Sequence, residues 1–193
     1  KRIPVGAGLG GGSSNAATTL CALNEQWQCH LDKNQLEVLG KQLGADVPFF
    51  IRGGLALGQG TGDRLTRVSQ KVLFWGLVVF PPVSISTADV YQSLNLSLTN
   101  REKITKFADF ISRYTDTSTW KTVLYNDLES VVFERHPYFQ NIIQVLYDNG
   151  AFFANMSGSG SALFGLFKTD SDAQAVQRQL EPYRTFVFEP VYR

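Results

Sequence analysis

The stretch Val5–Leu20, VGAGLGGGSSNAATTL, decides the fold, because it places five glycines between Gly6 and Gly12 directly before a helical pattern. Each ordered glycine costs roughly 0.5–1 kcal/mol more backbone entropy than alanine. A cluster of this density therefore indicates that the backbone itself is needed at this place. The apolar residues that follow recur at helical spacing, so a helix is predicted behind the loop, with Ser13 or Ser14 placed to cap it.

The composition limits what such a loop can bind. The chain has 193 residues, 44% of them hydrophobic and 18% charged, which is ordinary for one globular domain or two small ones. The formal net charge is +1 and no run of lysines or arginines occurs, so we expect neither nucleic acid nor a membrane as a partner. Cys21 and Cys29 lack the CxxC spacing of a zinc site and are too few for a disulfide framework, which indicates a reducing compartment. An anionic ligand must then be held by local geometry.

Four interpretations of the glycine loop compete. A tight helix packing seldom needs more than one or two glycines, and no Gly-Lys-Ser/Thr follows, which excludes a Walker loop. Residues 6–11 satisfy GxGxxG, but a dinucleotide fold needs a strand before its acidic residue, whereas Asp32 is better explained as the N-cap of a second helix, with Gln35 completing a capping box. The remaining interpretation is a polyphosphate loop, whose N–H groups and following helix start attract phosphates.

The rest of the chain predicts an α+β fold. Helical patterns occupy residues 32–44, 86–94, 100–114, 118–136, 137–150 and 171–183, whereas strand patterns occupy 71–80 and 185–191. Two short apolar runs on either side of Gly53-Gly54 are interpreted as a pair of strands, because Pro48 opposes helix continuation, and two more form a hairpin around residues 157–161. Pro81-Pro82 is the predicted domain boundary, between domains 1–81 and 82–193, because two prolines cannot continue a ladder.

The glycine loop also carries a family resemblance. Pro4–Ala17 resembles the second signature of the GHMP small-molecule kinases, and Asn155–Phe167 is similar to the third, glycine-rich signature. Leu43–Gly53 and Phe80–Tyr91 resemble the acidic motif and the domain-crossing segment of one branch, whose substrate is a cytidine diphosphate derivative of methylerythritol. The resemblance implies a GHMP kinase fold: part of an N-terminal domain like ribosomal protein S5 domain 2, then a ferredoxin-like C-terminal domain.

The resemblance further implies roles for particular residues. The ATP-binding residues would be Lys1, near the adenine, and the loop residues Pro4, Val5, Gly6, Ala7, Gly8, Leu9, Gly10, Gly11, Gly12, Ser13 and Ser14. Asp46 would be the catalytic carboxylate, and the substrate-binding residues would be Thr87, Tyr91, Gly158, Ser159 and Gly160. ATP would be the co-substrate, with Mg²⁺ as its partner, and the branch implies a bacterial cytoplasm. No dedicated metal site is predicted.

Pattern alone leaves several alternatives open. Asp46 is equally well explained as the acceptor of an Asx turn, the SGSGS stretch as a plain hairpin connection and Tyr91 as a core residue. The expected function is ATP-dependent phosphorylation of the 2-hydroxyl of the branch's substrate; homoserine or mevalonate phosphorylation and non-catalytic nucleotide binding are the alternatives. The family's lysine-bearing first signature and its glycine-tyrosine-histidine segment do not occur in the sequence. We therefore expect an N-terminally truncated kinase that is inactive by itself.

Overall fold

The computed structural model describes residues 3–62, 64–68, 73–94 and 116–191, so the predicted helix at 100–114 lies outside the described residues. The chain divides into two compact units. One contains Gly10–Lys71 with the last three residues, and the other contains Lys1–Leu9 with Val72–Pro190. Each unit has its own hydrophobic core.

The unit that begins at Gly10 consists of a small helical cluster and a two-stranded antiparallel hairpin. Its elements are α1 (Gly11–Gln26), α2 (Lys33–Leu43), α3 (Val47–Arg52), β1 (Leu55–Gln59) and β2 (Arg64–Val68). The buried core joins the three helices through Ala17, Leu36, Val47 and Ile51. The capping box predicted at the start of α2 is confirmed, since the Asp32 side chain accepts from Gln35 N–H and the Gln35 side chain accepts from Asp32 N–H.

Two predictions in this unit are wrong. Helix α1 begins at Gly11 behind an N-cap at Gly10, so Ser13 and Ser14 lie inside the helix and neither caps it. The apolar run after Asp46 is helix α3 and only the run after Gly54 is a strand, because a proline in the first turn of a helix gives up an N–H that has no intrahelical partner there. Pro48 occupies that first turn and is buried.

The other unit is a four-stranded antiparallel sheet with helices. Its elements are β3 (Trp75–Phe80), α4 (Thr87–Ser93), a 3₁₀ turn (Thr117–Thr119), α5 (Trp120–Val123), α6 (Glu129–Arg135), α7 (Tyr138–Asp148), β4 (Phe153–Met156), β5 (Leu163–Phe167), α8 (Asp170–Gln179) and β6 (Arg184–Phe188). The strand order β4-β5-β3-β6, with helices between β3 and β4 and between β5 and β6, is the split βαβ arrangement of a ferredoxin-like fold. The predicted α+β class is confirmed.

One face of this sheet packs on the helices and the other carries the start of the chain. Leu77 and Val79 of β3 face a core formed with α7 and α8, which contribute Phe139 and Val176 among others. Val78 lies on the opposite face, in a cluster with Ala7 and the turn residue Ala162. Residues 3–9 therefore pack with the unit that contains this sheet, although α1 follows them directly.

The division into compact units differs from the boundary predicted at Pro81-Pro82. Strand β3 precedes the two prolines, yet it is hydrogen-bonded between β5 and β6, so it packs with the C-terminal elements. The predicted strands are found in this unit. The strand predicted at 71–80 is β3, the hairpin predicted around residues 157–161 is formed by β4 and β5, and the closing strand predicted at 185–191 is β6. The two predicted helical segments that meet at His136-Pro137 also separate there, since α6 ends at Arg135 and α7 begins at Tyr138.

Candidate active site

The glycine loop is fixed on the turn between β4 and β5. Ser161 N–H donates to the carbonyl of Gly6 at 3.2 Å, and Ala162 N–H donates to the carbonyl of Ala7 at 3.1 Å. The Ser157 hydroxyl donates to the carbonyl of Gly8 at 2.8 Å. Three successive carbonyl groups of the loop are thus occupied by the turn.

Glycine is required in this loop for two reasons. The φ angles of Gly6, Gly8 and Gly10 are +69°, +71° and +61°, a region that side chains with a Cβ rarely adopt. In addition, a Cβ on Gly8 would lie 1.9 Å from the carbonyl oxygen of Ser157, which is far inside van der Waals contact. The close approach of two backbones therefore accounts for part of the glycine cluster.

The start of α1 has the features of an anion site. The first N–H to bond within the helix is that of Ser14, which donates to the Gly10 carbonyl at 2.8 Å. The N–H groups of Gly11, Gly12 and Ser13 have no acceptor among the residues that the structure describes. No side chain caps this end and no acidic residue lies in its first turn. A helix N-terminus with free N–H groups and no negative charge attracts phosphate.

Gly12 differs from the other glycines of the cluster. A Cβ on Gly12 would meet no protein atom within 4 Å, whereas a Cβ on Gly10 would lie 2.7 Å from the ring of Phe50. Packing thus explains the glycine at position 10 but leaves position 12 unexplained. A ligand in front of the helix is one physical reason for keeping that position bare.

The predicted catalytic carboxylate, Asp46, stands at the N-terminal end of α3 and is exposed. Its side chain makes no cap hydrogen bond at the start of α3. The alternative interpretation of Asp46, as the acceptor of an Asx turn, is therefore not supported there. Within the described residues, no hydrogen bond or ion pair of the Asp46 carboxylate is found. Phe50, one turn further along α3, lies against the Gly10 position, so α3 packs beside the start of α1.

Arg52, the cation at the C-terminal end of α3, is engaged elsewhere. Its guanidinium pairs with Glu37 of α2, with a second contact of 3.3 Å from Nη2 to the other carboxylate oxygen, and it also donates to Asn34. Arg52 is therefore held against α2 and does not neutralise Asp46.

Two of the predicted substrate residues are in direct contact. The hydroxyl of Thr87, in the first turn of α4, lies 2.8 Å from the hydroxyl of Ser159 in the turn, and Ser159 is buried. Gly158 and Gly160 flank it with φ angles of +56° and +83°. The turn between β4 and β5 is thus hydrogen-bonded both to the glycine loop and to α4.

Tyr91 borders a groove of about 550 Å³ instead of lying in the core. Its side chain is 60% exposed, while Val90 beside it is buried and anchors α4 to the sheet. The core interpretation of Tyr91 is therefore wrong. The groove has a mixed aromatic and polar lining: Tyr91, Leu94, Leu124, Tyr125, Asn126, Asp127, Leu128, Phe153, Asn155, Met156, Gly158 and Phe164.

Sequence reasoning missed three polar residues around this groove. Asn126 donates to the carbonyls of Met156 and Gly158, at 3.0 and 2.7 Å. Asn155 is buried, and Glu129 accepts from the N–H of Met156 at 2.7 Å. Burial raises the pKa of the Glu129 carboxyl, and the hydrogen bond from Met156 opposes that rise. Their signal in the sequence was weak: polar residues inside otherwise apolar segments, which surface helices also show.

Three of the predicted ATP-binding residues lie at the start of the chain. Lys1 lies outside the described residues. Pro4 is half-buried and Val5 is 78% exposed at the entry to the loop. No group of three or more metal-ligating side chains occurs within the described ranges. In the same part of the chain, no helix is long and apolar enough to cross a membrane.

Comparison with known families defines the class of the protein. The description "GHMP kinases N terminal domain" matches residues 1–54, and "GHMP kinases C terminal" matches residues 107–184. The chain belongs to the GHMP kinase family. Its curated relatives within that family include proteins named 4-diphosphocytidyl-2-C-methyl-D-erythritol kinase.

Two of these relatives illustrate the extent of the similarity. The protein of Pelobacter propionicus is 43% identical over 180 residues, which cover 93% of this chain and 62% of the relative. The protein of Syntrophotalea carbinolica is also 43% identical, over 195 residues that cover 99% of this chain and 68% of the relative. The chain thus spans about two thirds of the length of these relatives, and in the first case less.

Solved structures agree with this assignment. A crystal structure of 4-(cytidine 5'-diphospho)-2C-methyl-D-erythritol kinase is 32% identical with a TM-score of 0.78, covering 98% of this chain and 68% of that one. A homoserine kinase from Cytophaga hutchinsonii superposes with a TM-score of 0.79 at 18% identity, covering 99% of this chain and 68% of the other. At that identity, the second likeness shows the fold alone.

Proposed function

We propose that the protein carrying this chain transfers the γ-phosphoryl group of ATP to the 2-hydroxyl of 4-diphosphocytidyl-2-C-methyl-D-erythritol. The observation that carries the proposal is the glycine loop and the helix start behind it. The loop carbonyls of Gly6, Ala7 and Gly8 are occupied by the turn, and the first N–H groups of α1 have no acceptor among the described residues. The substrate is inferred from the relatives, which are named for it.

The proposed ATP site is the loop of residues 4–9 together with the first residues of α1, at positions 10–14. Its N–H groups and the positive end of the helix would bind the phosphates without a lysine cluster, which agrees with a net charge of only +1. Binding by fixed backbone dipoles also suits phosphoryl transfer, because that reaction depends on positioning and charge stabilisation more than on covalent chemistry of the protein. Lys1 is proposed to lie near the adenine.

Asp46 is proposed as the carboxylate that orients the attacking hydroxyl and accepts its proton. It is exposed, does not cap α3, and has no basic partner among the residues described. A carboxylate left free in this way can accept a hydrogen bond from a substrate hydroxyl. Phe50 lies against the Gly10 position, so α3, the helix at whose start Asp46 stands, packs beside the start of α1.

The cytidine end of the substrate is assigned to Thr87, Tyr91 and the turn residues Gly158, Ser159 and Gly160. Tyr91 offers an exposed ring at the edge of a groove, which suits stacking on a base. The hydrogen bond between Thr87 and Ser159 would keep α4 and the turn at a fixed separation when the base binds.

Mg²⁺ is proposed as the ion that accompanies ATP and helps to neutralise charge on its phosphates. Mg²⁺ commonly binds through substrate phosphates with one or two protein oxygens, so ATP itself would supply most of its ligands. Ser13 and Ser14 of the proposed ATP site and the carboxylate of Asp46 are the groups that would offer it oxygens. A bacterial cytoplasm is the proposed location, since the relatives quoted are bacterial and both cysteines are free thiols.

The test is a phosphorylation assay on the whole protein that carries this chain. It is incubated with ATP, Mg²⁺ and one acceptor at a time: 4-diphosphocytidyl-2-C-methyl-D-erythritol, mevalonate or homoserine. Mass spectrometry then identifies the acceptor that gains one phosphate. We expect the cytidine compound alone to be phosphorylated at an appreciable rate. Phosphorylation of mevalonate or homoserine instead would overturn the substrate, and ATP binding without any transfer would favour a nucleotide-binding protein.

A further inference from the structure

The side chain of Asn126 joins the segment before α6 to the turn between β4 and β5. Its amide nitrogen donates to the carbonyl of Met156 at 3.0 Å and to that of Gly158 at 2.7 Å. Its amide oxygen accepts from Leu128 N–H at 3.0 Å. Both N–H bonds of the amide and its oxygen are thus in use, which fixes the orientation of the side chain.

The turn held by Asn126 is the one that carries the glycine loop. Gly158 follows Ser157, whose hydroxyl binds the Gly8 carbonyl, and the turn ends at Ser161, whose N–H binds the Gly6 carbonyl. The backbones of the loop and the turn are in close contact, since a Cβ on Gly8 would lie 1.9 Å from the carbonyl oxygen of Ser157. A shift of the turn must therefore move the loop.

A second side chain holds the entry to the same turn. Glu129 accepts from Met156 N–H at 2.7 Å, while Asn126 takes the carbonyl of the same residue. Both groups of the Met156 backbone are consequently bound by the short segment 126–129. Residues 126–129 are not part of the proposed phosphate site, so any effect that they have on phosphate binding is transmitted through the turn.

We propose that Asn126 is a positioning residue for the phosphate-binding loop and acts through the turn 157–161. This proposal rests on the proposed function, because it assigns the loop to ATP. With the two donors of Asn126 in place, the turn keeps the carbonyls of Gly6 and Gly8 bound to it and the loop in the conformation that receives phosphate. Without them, the loop is free to move and ATP binds less tightly.

The test uses Asn126→Asp in the whole protein. The new carboxylate keeps the acceptor for Leu128 N–H but has no donor, and it faces two carbonyl oxygens. We expect the amides of Ser161 and Ala162, followed by hydrogen-exchange mass spectrometry without nucleotide, to exchange roughly tenfold faster, as expected for the loss of two hydrogen bonds that hold the turn. The Kd and KM for ATP should rise by a similar factor.

Lowering the pH provides a rescue that a merely structural defect would not show. When the new carboxyl group at position 126 is protonated, it regains one donor, and its pKa, ordinarily about 3.9 for an aspartate, is raised by the two carbonyls that face it. The difference in exchange between variant and wild type should therefore narrow as the pH falls. Ile142→Val is the control: it removes one methylene from the core on α7, where the residue is 3% exposed, and should leave the amides of Ser161 and Ala162 unchanged.

The outcomes separate this proposal from the proposed function. Unchanged exchange in Asn126→Asp, or equal acceleration in Ile142→Val, would overturn the positioning role. Faster exchange with an unchanged Kd for ATP would also overturn it, because the loop would then move without affecting the nucleotide. If the wild-type protein binds no ATP, the proposed function fails, whereas faster exchange in the variant still supports Asn126 as the residue that holds the loop.

Discussion

Replacing Gly12 with alanine separates a role in packing from a role in ligand binding. Gly12 is the second residue of α1, and a Cβ there would meet no protein atom within 4 Å. Because alanine is the better helix former, the substitution should leave the free energy of unfolding unchanged or raise it by up to about 1 kcal/mol. Nothing in the packing of the protein opposes the added methyl group.

The same methyl group should interfere with ATP. Cα–Cβ bonds of a helix tilt toward its N-terminus, so the methyl projects toward the space in front of α1. A phosphate oxygen bound by the N–H groups there sits about 2.9 Å from the nitrogens, which leaves no room for a methyl group alongside it. We expect the Kd for ATP to rise at least tenfold, equivalent to about 1.4 kcal/mol.

Calorimetric titration with ATP and urea unfolding of the whole protein measure the two effects separately. Thr19→Ala is the matched control, since Thr19 is exposed on α1 well beyond its first turn and its replacement also raises helix propensity. It should stabilise the helix and leave the Kd unchanged. An unchanged Kd in Gly12→Ala would refute phosphate binding at the start of α1. Gly10→Val is less informative, since its side chain would also strike Phe50.

Three further predictions concern other groups. Asp46→Asn should lower kcat by roughly two to four orders of magnitude with little change in the Kd for ATP, whereas Asp170→Asn at the start of helix α8 should leave kcat as it is. A weakening of ATP binding as large as the loss of kcat would contradict a role of Asp46 in the transition state. Tyr91→Ala should raise the KM for the cytidine substrate by the equivalent of about 1–3 kcal/mol, the worth of a base stack, and steady-state kinetics showing equal effects on both substrates would argue against stacking. Burial raises the pKa of the Glu129 carboxyl above its ordinary value of 4.5, so the folded state binds this proton more tightly than the unfolded state does. The free energy of unfolding should therefore fall as the pH rises above 4.5, and Glu129→Gln should reduce this dependence on pH in unfolding curves. If the variant shows the same dependence on pH as the wild type, Glu129 is not its source.

Local patterns predicted those elements whose ends are set by neighbouring residues. The Asp32–Gln35 capping box fixes the start of α2 by two hydrogen bonds over three residues, so the sequence alone was sufficient. The Pro81-Pro82 pair likewise ends β3 where it was expected to end. The fold class followed from the order of such elements, and the family resemblance supplied the topology.

Predictions failed where packing between distant segments decides the structure. The glycines of residues 10–12 have poor helix propensity, yet α1 begins at Gly11 because Gly10 turns the chain with a φ of +61° and packs against Phe50 of α3. The segment of α3 is too short for its period to distinguish helix from strand, and only its packing on α1 and α2 makes it helical. Asn126 escaped notice for a similar reason, since its partners are about thirty residues away.

Hydrogen exchange at the start of α1 tests the central claim, phosphate binding by the loop and helix, most directly. The amides of Gly11, Gly12 and Ser13 have no acceptor among the described residues, so they should exchange quickly in the free protein. We predict that ATP slows their exchange strongly, because its phosphates accept hydrogen bonds from these groups, and that adenosine, which carries no phosphate, does not. Saturation with ATP that leaves the exchange of these amides unchanged would contradict the account.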